Sequence, residues 1–249
     1  MTPRHLIAGN WKMNGLTASL DEARAVAASL AETSAAAEVA LCPSATLIFT
    51  MAQALAGTRV LVGGQDCRAE ASGAFTGDIA AEQIKDAGAT LVILGHSERR
   101  AGHGETSQDV AAKVEAALRT GLRPIVCVGE TLEEREAGKA IAVVTGQVAD
   151  SLPQALDGAS FAVAYEPVWA IGSGLTPTIA QIEEVHIAIR GVLTNKFGDH
   201  GKTAPILYGG SVKPANAKEI LAAAEVGGAL VGGASLKAAD FLPIIRSAG

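Results

Sequence analysis

The sequence has few aromatic residues, few positively charged residues and only three cysteines. Aromatic residues make up 4% of the 249 residues although 49% are hydrophobic, so the predicted core consists mainly of Ala, Val, Ile and Leu. The net charge of −6 argues against a nucleic-acid partner, because phosphate backbones attract basic surfaces. Cys42, Cys67 and Cys127 are odd in number, far apart and without a Cys-x-x-Cys spacing, which argues against disulfide bonds and a structural zinc site.

Long apolar segments are missing as well. Residues 1–9 lack the apolar stretch of a secretory signal, and no hydrophobic run approaches the roughly 20 residues needed to cross a bilayer. We therefore expect a cytoplasmic protein without a membrane partner, in a reducing compartment that keeps its cysteines unpaired.

The chain instead repeats one alternation, in which short apolar runs are separated by segments of helical spacing. Nearly continuous hydrophobicity is typical of parallel strands buried on both faces. The eight runs are Leu6–Trp11, Val39–Cys42, Val60–Gly63, Leu91–Leu94, Pro124–Val128, Phe161–Tyr165, Pro205–Tyr208 and Ala229–Val231. Between the first two runs, Leu20, Ala23, Ala27 and Leu30 recur with the period of one helix face.

Strand–helix alternation without a linker predicts an α/β protein, a single (β/α)8 TIM-barrel domain over residues 1–249. An open, doubly wound sheet is the alternative. It is disfavoured because no Gly-x-Gly-x-x-Gly motif for a dinucleotide follows the first run.

Polar residues follow most of these runs at their carboxyl ends, which form the rim that carries the active site of such barrels. The rim residues are Asn10, Lys12 and Asn14 after the first run, Gln65 and Asp66 after the third, His96, Ser97 and Glu98 after the fourth, Gly129 and Glu130 after the fifth, and Glu166 after the sixth. Each of them alone is compatible with a helix cap or a surface ion pair. Their joint placement on one rim predicts a functional site.

Glu166 lies in the most informative segment, which reads AYEPVWAIGSG over residues 164–174. A carboxylate at the end of a buried strand is costly to desolvate unless it has a partner or a task. Pro167 restricts the backbone on one side of this segment, whereas Gly172 and Gly174 free it on the other. The pattern predicts a base at a strand tip beside a hinged flap. In isolation, it is equally compatible with a surface ion pair and an ordinary loop.

Glycine pairs follow the last two runs, at 209–210 before Ser211 and at Gly232 and Gly233. Main-chain N–H groups at such positions bind phosphate, and glycine lets the anion approach the backbone closely. Either pair alone could simply turn the chain, but two pairs on neighbouring strands predict a phosphate site.

Lys12 and His96 are the candidate charged and polar groups of the same rim. Lys12 follows an apolar run and is expected to point into the rim. A helix that begins near Ser97 would direct its positive end at the His96 imidazole and lower its pKa, so that a neutral ring donates a hydrogen bond. The alternative for His96 is a structural histidine in the core.

Six segments resemble the motifs of the triosephosphate isomerase family, in the family's order and over nearly the whole chain. They are NWKMN at 10–14, GHSERR at 95–100, CVGE at 127–130, AYEPVWAIG at 164–172, YGGSV at 208–212 and GGAS at 232–235. The resemblance implies interconversion of dihydroxyacetone phosphate and D-glyceraldehyde 3-phosphate through an enediolate, in glycolysis and gluconeogenesis, without a metal or an organic cofactor. This family is itself a standard case of a glutamate base, a neutral histidine and a closing loop.

The resemblance also implies roles for individual residues. Glu166 would be the base, His96 the electrophile at the carbonyl oxygen, and Lys12 the cation that favours the anionic transition state, with Glu98 as its partner. The substrate-binding residues would be Asn10, Lys12, Gly172, Ser211, Gly232 and Gly233.

Two loops resemble family features that lie beyond the chemistry. Residues 167–176 resemble the lid that keeps water from the enediolate. Leu175, Pro177 and Ser173 differ from the commonest family pattern there, which leaves the kinetics of the lid open. Residues 65–78 resemble the loop that enters a neighbouring subunit, so that the resemblance implies a homodimer.

Three other functions are compatible with these residues. An aldolase-type lyase would use Lys12 as a Schiff base and needs a depressed lysine pKa. A sugar-phosphate-binding protein would have lost catalysis, which the presence of Lys12, His96 and Glu166 argues against. The same isomerisation could also act on a four-carbon ketose phosphate.

Overall fold

The computed structural model describes residues 5–32, 37–173 and 175–249, and its strands close into a parallel barrel. Neighbouring strands follow chain order, and the first strand pairs with the eighth. The strands are β1 (Leu6–Asn10), β2 (Glu38–Cys42), β3 (Val60–Gly64), β4 (Leu91–Leu94), β5 (Arg123–Val128), β6 (Ala162–Tyr165), β7 (Ile206–Tyr208) and β8 (Gly228–Val231). The predicted (β/α)8 barrel is confirmed, and the open sheet is wrong.

Helices connect the strands on the outside of the barrel. They are α1 (Leu20–Glu32), α2 (Ile48–Ala54), α3 (Ala81–Asp86), α4 (Ser97–His103), α5 (Ser107–Arg119), α6 (Leu132–Glu136), α7 (Ala140–Ser151), α8 (Ile179–Thr203), α9 (Ala217–Leu221) and α10 (Ala238–Arg246). The predicted face of α1 is buried at all four positions, from Leu20 to Leu30. None of the helices in the described ranges is long and apolar enough to cross a membrane.

Side chains at alternate strand positions form two separate apolar layers. The layer inside the barrel contains no aromatic residue and consists of Leu6, Ala8, Ala40, Cys42, Leu91, Ile93, Ile125, Cys127, Ala162, Ala164, Leu207 and Leu230. A larger layer lies between the strands and the helices and holds the bulky side chains, among them Trp11, Tyr165 and Tyr208. This division explains how a chain with few aromatic residues fills a barrel, whose interior takes mainly aliphatic side chains.

The three cysteines are buried as free thiols. Burial raises the pKa of Cys42 to about 12, and burial beside Asp66 does the same for Cys67. Because the thiolate is the reactive form, these two residues behave as small apolar side chains of the core.

Candidate active site

A cavity of about 480 Å³ opens where the carboxyl ends of the strands meet. Of the predicted rim residues, Gln65, Asp66, Ser97, Gly129 and Glu130 do not line this cavity. The catalytic and substrate-binding residues that the family resemblance implies all line it, and they are Asn10, Lys12, His96, Glu166, Gly172, Ser211, Gly232 and Gly233. The order of strands in the barrel is what brings them together, since they come from five strand ends and the lid segment spread over more than 220 positions.

Glu166 directly follows β6, and its side chain is almost completely buried, with 1% of the residue exposed. Two polar partners of its carboxylate lie at the start of α4. His96 Nε2 lies 2.7 Å from Oε1, and the main-chain N–H of Ser97 donates to Oε2 over 2.9 Å. A helix N-terminus favours an anion, and these two contacts replace the water that the buried carboxylate has lost.

Two glycines give Glu166 its space. A Cβ atom at Gly129 would lie 1.7 Å from the carbonyl oxygen of Glu166, and one at Gly209 would lie 2.8 Å from its Cγ. The main chain after β5 therefore packs directly on that of Glu166, while the main chain after β7 packs on its side chain. No other residue type fits at Gly129 without moving the backbone.

His96 is the N-cap residue of α4. Its Nδ1 accepts a hydrogen bond of 3.2 Å from the main-chain N–H of Glu98, which places the ring proton on Nε2. The Nε2–H group then donates to the Glu166 carboxylate. The α4 N-terminus thus fixes the tautomer of the ring that faces the cavity.

The predicted lowering of the His96 pKa is wrong for this arrangement. Burial does oppose protonation of the ring, but the Glu166 carboxylate at 2.7 Å outweighs it, so the His96 pKa lies above its ordinary value. The start of α4 is recognisable in the sequence, whereas the resting position of the Glu166 carboxylate depends on the tertiary structure.

Lys12 has a left-handed backbone, with φ of 51°, which is uncommon outside glycine. Asn10 Oδ1 accepts from the Lys12 main-chain N–H over 3.0 Å, and Gln65 Nε2 donates to its carbonyl over 2.9 Å. The Nζ atom forms an ion pair of 2.5 Å with Glu98 Oε1. The predicted Lys12–Glu98 pair is therefore present, and side chains from two strand ends hold the strained backbone in place.

Another part of the cavity wall is built from main chain. Gly172, Ser211, Gly232 and Gly233 line it, and in the described part of the chain nothing accepts a hydrogen bond from their N–H groups. A Cβ at Gly172 or Gly233 would meet no atom within 4 Å. This part of the wall presents open donors of the kind that bind an oxyanion.

Glu130 links the end of β5 to the lid. Its Oε1 accepts from Trp169 Nε1 at 2.9 Å, from Tyr165 OH at 3.1 Å and from Arg135 Nε at 2.6 Å. Its carbonyl accepts from Val168 N–H at 3.1 Å. The first turn of the lid segment is thus fixed to the barrel, while the next residues, Ile171 and Gly172, line the cavity; Gly174 lies outside the described residues.

Some lining residues were not foreseen from the sequence. Lys213 follows the glycine pair after β7 in the chain and lines the cavity. Its place in the sequence, two positions after Ser211, is the feature that could have predicted it as a lining residue. Leu230 belongs to the inner layer of the barrel and closes the floor, and nothing in its sequence context distinguishes it from other core leucines.

The fold and the cavity define the class of protein as a (β/α)8-barrel enzyme with an acid–base site. A buried carboxylate faces a hydrogen-bond donor whose tautomer is fixed, and a cation and open main-chain donors stand in the same cavity. Such a set moves a proton on a small anionic substrate.

Comparison with known proteins gives the family. Residues 5–248 match the family model described as triosephosphate isomerase. The chain is 63% identical over 246 residues to a triosephosphate isomerase of Caulobacter vibrioides, with 99% of this chain and 97% of the relative covered. One from Afipia carboxidovorans is 60% identical over 244 residues, with 98% and 97% covered. The crystal structure of triosephosphate isomerase from Bartonella henselae has a TM-score of 0.90 and 49% identity, with 98% of each chain covered. The chain belongs to the triosephosphate isomerase family.

Family membership argues against the aldolase-type alternative, and so does the geometry of Lys12. A Schiff base requires a neutral amine. Here the Lys12 ammonium is held by the Glu98 carboxylate.

Proposed function

We propose that the chain interconverts dihydroxyacetone phosphate and D-glyceraldehyde 3-phosphate, as a single domain over residues 1–249, in the cytoplasm. The reaction belongs to glycolysis and gluconeogenesis. The observation that carries the proposal is the Glu166 carboxylate, buried and 2.7 Å from His96 Nε2, in a cavity that also holds a cation and open main-chain donors.

Glu166 is the proposed base. In the structure its carboxylate rests on His96 and Ser97, so it has to leave both partners to reach a substrate in the cavity. It then removes a proton from C1 of dihydroxyacetone phosphate. The electron pair of the C–H bond forms the C1–C2 double bond of the enediolate, and the π pair of the C2 carbonyl moves onto its oxygen. The hydroxyl proton on the C1 oxygen then passes to the C2 oxygen, the C1 carbonyl forms, and the C1–C2 double-bond pair takes the proton back from Glu166 at C2. The proton, the electrons and the atoms therefore balance without an added reactant.

His96 is the proposed electrophile. Once the carboxylate has moved away, Nε2–H is free to donate to the substrate's carbonyl oxygen. Burial and the nearby charge of Lys12 both lower the His96 pKa, whereas Glu166 is the main group that raises it. Departure of Glu166 thus favours the neutral ring, which donates a hydrogen bond without becoming a strong acid.

Lys12 and the main-chain donors are proposed to stabilise negative charge. The Lys12 ammonium would favour the enediolate, and preorganised donors of this kind contribute roughly 3–4 kcal/mol each in other enzymes. The phosphate would bind the N–H groups of Gly172, Ser211, Gly232 and Gly233. Asn10, which is 5% exposed, is proposed to hold the substrate and the Lys12 backbone together.

A homodimer formed through residues 65–78 is the proposed assembly. Met13 and Leu16, in the segment that carries Lys12, are 96% and 79% exposed, which leaves a large apolar surface in water. Met13 also lines a separate cleft of about 240 Å³. The tip of the loop carries Phe75, with the Arg68 guanidinium 3.8 Å above its ring. Insertion of this tip into the partner's cleft would cover Phe75 as well as the partner's exposed Met13 and Leu16.

The test is a coupled assay with three-carbon and four-carbon ketose phosphates, in the presence of a chelator. We expect turnover of the three-carbon substrate, and loss of that turnover in Glu166→Gln. Absence of turnover in a folded native chain would refute the catalytic proposal. Sedimentation analysis at micromolar concentration tests the dimer separately, and an active monomer would refute it.

A further inference from the structure

Gln147, on α7, makes an unusual pair of hydrogen bonds to one residue at the end of β5. Its Oε1 accepts from the main-chain N–H of Gly129 at 2.8 Å, and its Nε2 donates to the carbonyl of the same residue at 3.1 Å. The side-chain amide thus behaves as a peptide group of a neighbouring strand would, using a donor and an acceptor at once.

The pair of bonds fills a gap in the barrel's hydrogen-bond ladder. β4 pairs with β5 as far as Leu94 and Val126, and then the chain turns away at Gly95, where φ is 67°. The carbonyls of Val128 and Glu130 face β6 and accept from its extension. Gly129 lies between them in the alternation, so its N–H and carbonyl point to the side that β4 has left.

A second side chain serves the same edge. Arg100 Nη2 donates to the carbonyl of Cys127 over 3.1 Å. Side chains therefore supply partners for the main chain of β5 over two successive positions on the side of β4, first Arg100 and then Gln147. An unpaired main-chain group would be costly at these positions, since Cys127 is buried and Gly129 is half-buried, and this cost accounts for the side-chain partners at both of them.

Gly129, to which Gln147 is hydrogen-bonded, lies against Glu166, the proposed base. The Gly129 backbone touches that of Glu166, since a Cβ at Gly129 would lie 1.7 Å from the Glu166 carbonyl oxygen. The Glu166 main-chain N–H donates to Val128 over 2.8 Å, one residue before Gly129. A shift of the Gly129 peptide would therefore move the Cα of Glu166 and the direction of its carboxylate.

We propose that Gln147 is a positioning residue for the reaction, which acts on Glu166 through the Gly129 peptide. This inference rests on the proposed function. It assigns to α7, outside the cavity, a part in the proton transfer: the amide keeps the β5 end in register with the β6 end, so that the base is correctly aimed. Phosphate binding, which is proposed for main-chain N–H groups in the lid and after β7 and β8, should not depend on it.

The first variant is Gln147→Leu, which removes both hydrogen bonds at similar size. Because a misplacement of about 1 Å can cost on the order of 100-fold in rate, we expect kcat to fall at least about 10-fold. KM and the inhibition constant of inorganic phosphate should stay within about twofold, since the contacts that bind substrate and transition state equally are unchanged. Thr145→Val is the matched control. It removes a hydroxyl of the same helix that bonds only within α7.

The second variant, Gln147→Glu, keeps the chain length and gives a readout that loss of stability cannot mimic. The ionised carboxylate can accept from Gly129 N–H, but it repels the Gly129 carbonyl. The protonated acid donates to that carbonyl, as the amide does. The kcat of Gln147→Glu relative to the native chain should therefore rise as the pH falls, with both proteins folded by circular dichroism.

The outcomes separate the two proposals. A native chain without turnover would refute the proposed function and this inference with it. An active native chain together with Gln147→Leu of native kcat would overturn the inference alone. So would a Gln147→Leu that loses kcat and phosphate affinity by the same factor, or a Gln147→Glu whose relative kcat does not change with pH. If Gln147→Leu does not fold, the pH dependence of Gln147→Glu decides.

Discussion

Shortening the base by one methylene tests the geometry most directly. Glu166→Asp keeps a carboxylate on the same backbone but retracts it by one C–C bond, about 1.5 Å. The His96 and Ser97 contacts, now 2.7 and 2.9 Å, would stretch beyond hydrogen-bond length unless the backbone moves. The backbone cannot easily follow, because Gly129 is packed against the Glu166 carbonyl.

The expected loss follows from this retraction. A misplacement of about 1 Å costs on the order of 100-fold, so kcat should fall at least about 100-fold, or about 2.7 kcal/mol of transition-state stabilisation. The affinity for inorganic phosphate should not change. The assay is the coupled isomerase measurement on folded protein, with Glu115→Asp as the control, because Glu115 is exposed on α5 and does not line the cavity. If Glu166→Asp kept most of its kcat, Glu166 would not be the base.

Two further predictions concern charge. Lys12→Met should lower kcat and substrate affinity together, because the substrate is an anion and its transition state carries more charge. An added alkylammonium should restore part of kcat. A change in KM alone would mean that Lys12 binds substrate and transition state equally and is not catalytic. Burial lowers the pKa of His186 to about 4, so the unfolded chain takes up its proton first as the pH falls from 6.5. Urea titrations should show about 3 kcal/mol of unfolding free energy lost from this group between pH 6.5 and 4, and His186→Gln should lack that loss; an identical pH dependence in both proteins would contradict the reasoning.

The strands could be predicted closely from the sequence, because apolar runs buried on both faces leave a direct signal. Each observed strand begins and ends within one residue of the predicted run. The site could be placed as well, because the topology alone carries all strand ends to one rim. Glu166 and Ser211 needed no knowledge of their neighbours to be located there.

What could not be predicted depends on distances across the fold. The His96 pKa is set by where the Glu166 carboxylate rests, and no sequence pattern fixes that position. Gln147 stands 18 positions from Gly129 on a helix that has its own amphipathic pattern, and its amide is recognisable only once α7 lies on the end of β5. The left-handed backbone of Lys12 could not be predicted from the sequence either, since the residue is not a glycine.

A deletion in the lid can separate effects on folding from effects on the reaction. Its first turn is held by Glu130, through Val168 and Trp169, and its far end is fixed where Thr178 caps α8. A deletion of residues 171–174 spares both attachments. It removes Ile171 and Gly172, which line the cavity.

We therefore expect the lid deletion to leave a folded barrel with low kcat and a changed product. Without the lid, water reaches the enediolate, and the phosphate loses the proposed Gly172 contact, so phosphate elimination to methylglyoxal should compete with return of the proton. The measurement is the ratio of inorganic phosphate released to aldose formed. Ile187→Ala is the control, because Ile187 is 54% exposed on α8, outside the lid, and does not line the cavity. An unchanged ratio would make this segment an ordinary connection between β6 and α8, and the protection of the intermediate would then have to come from the rest of the cavity.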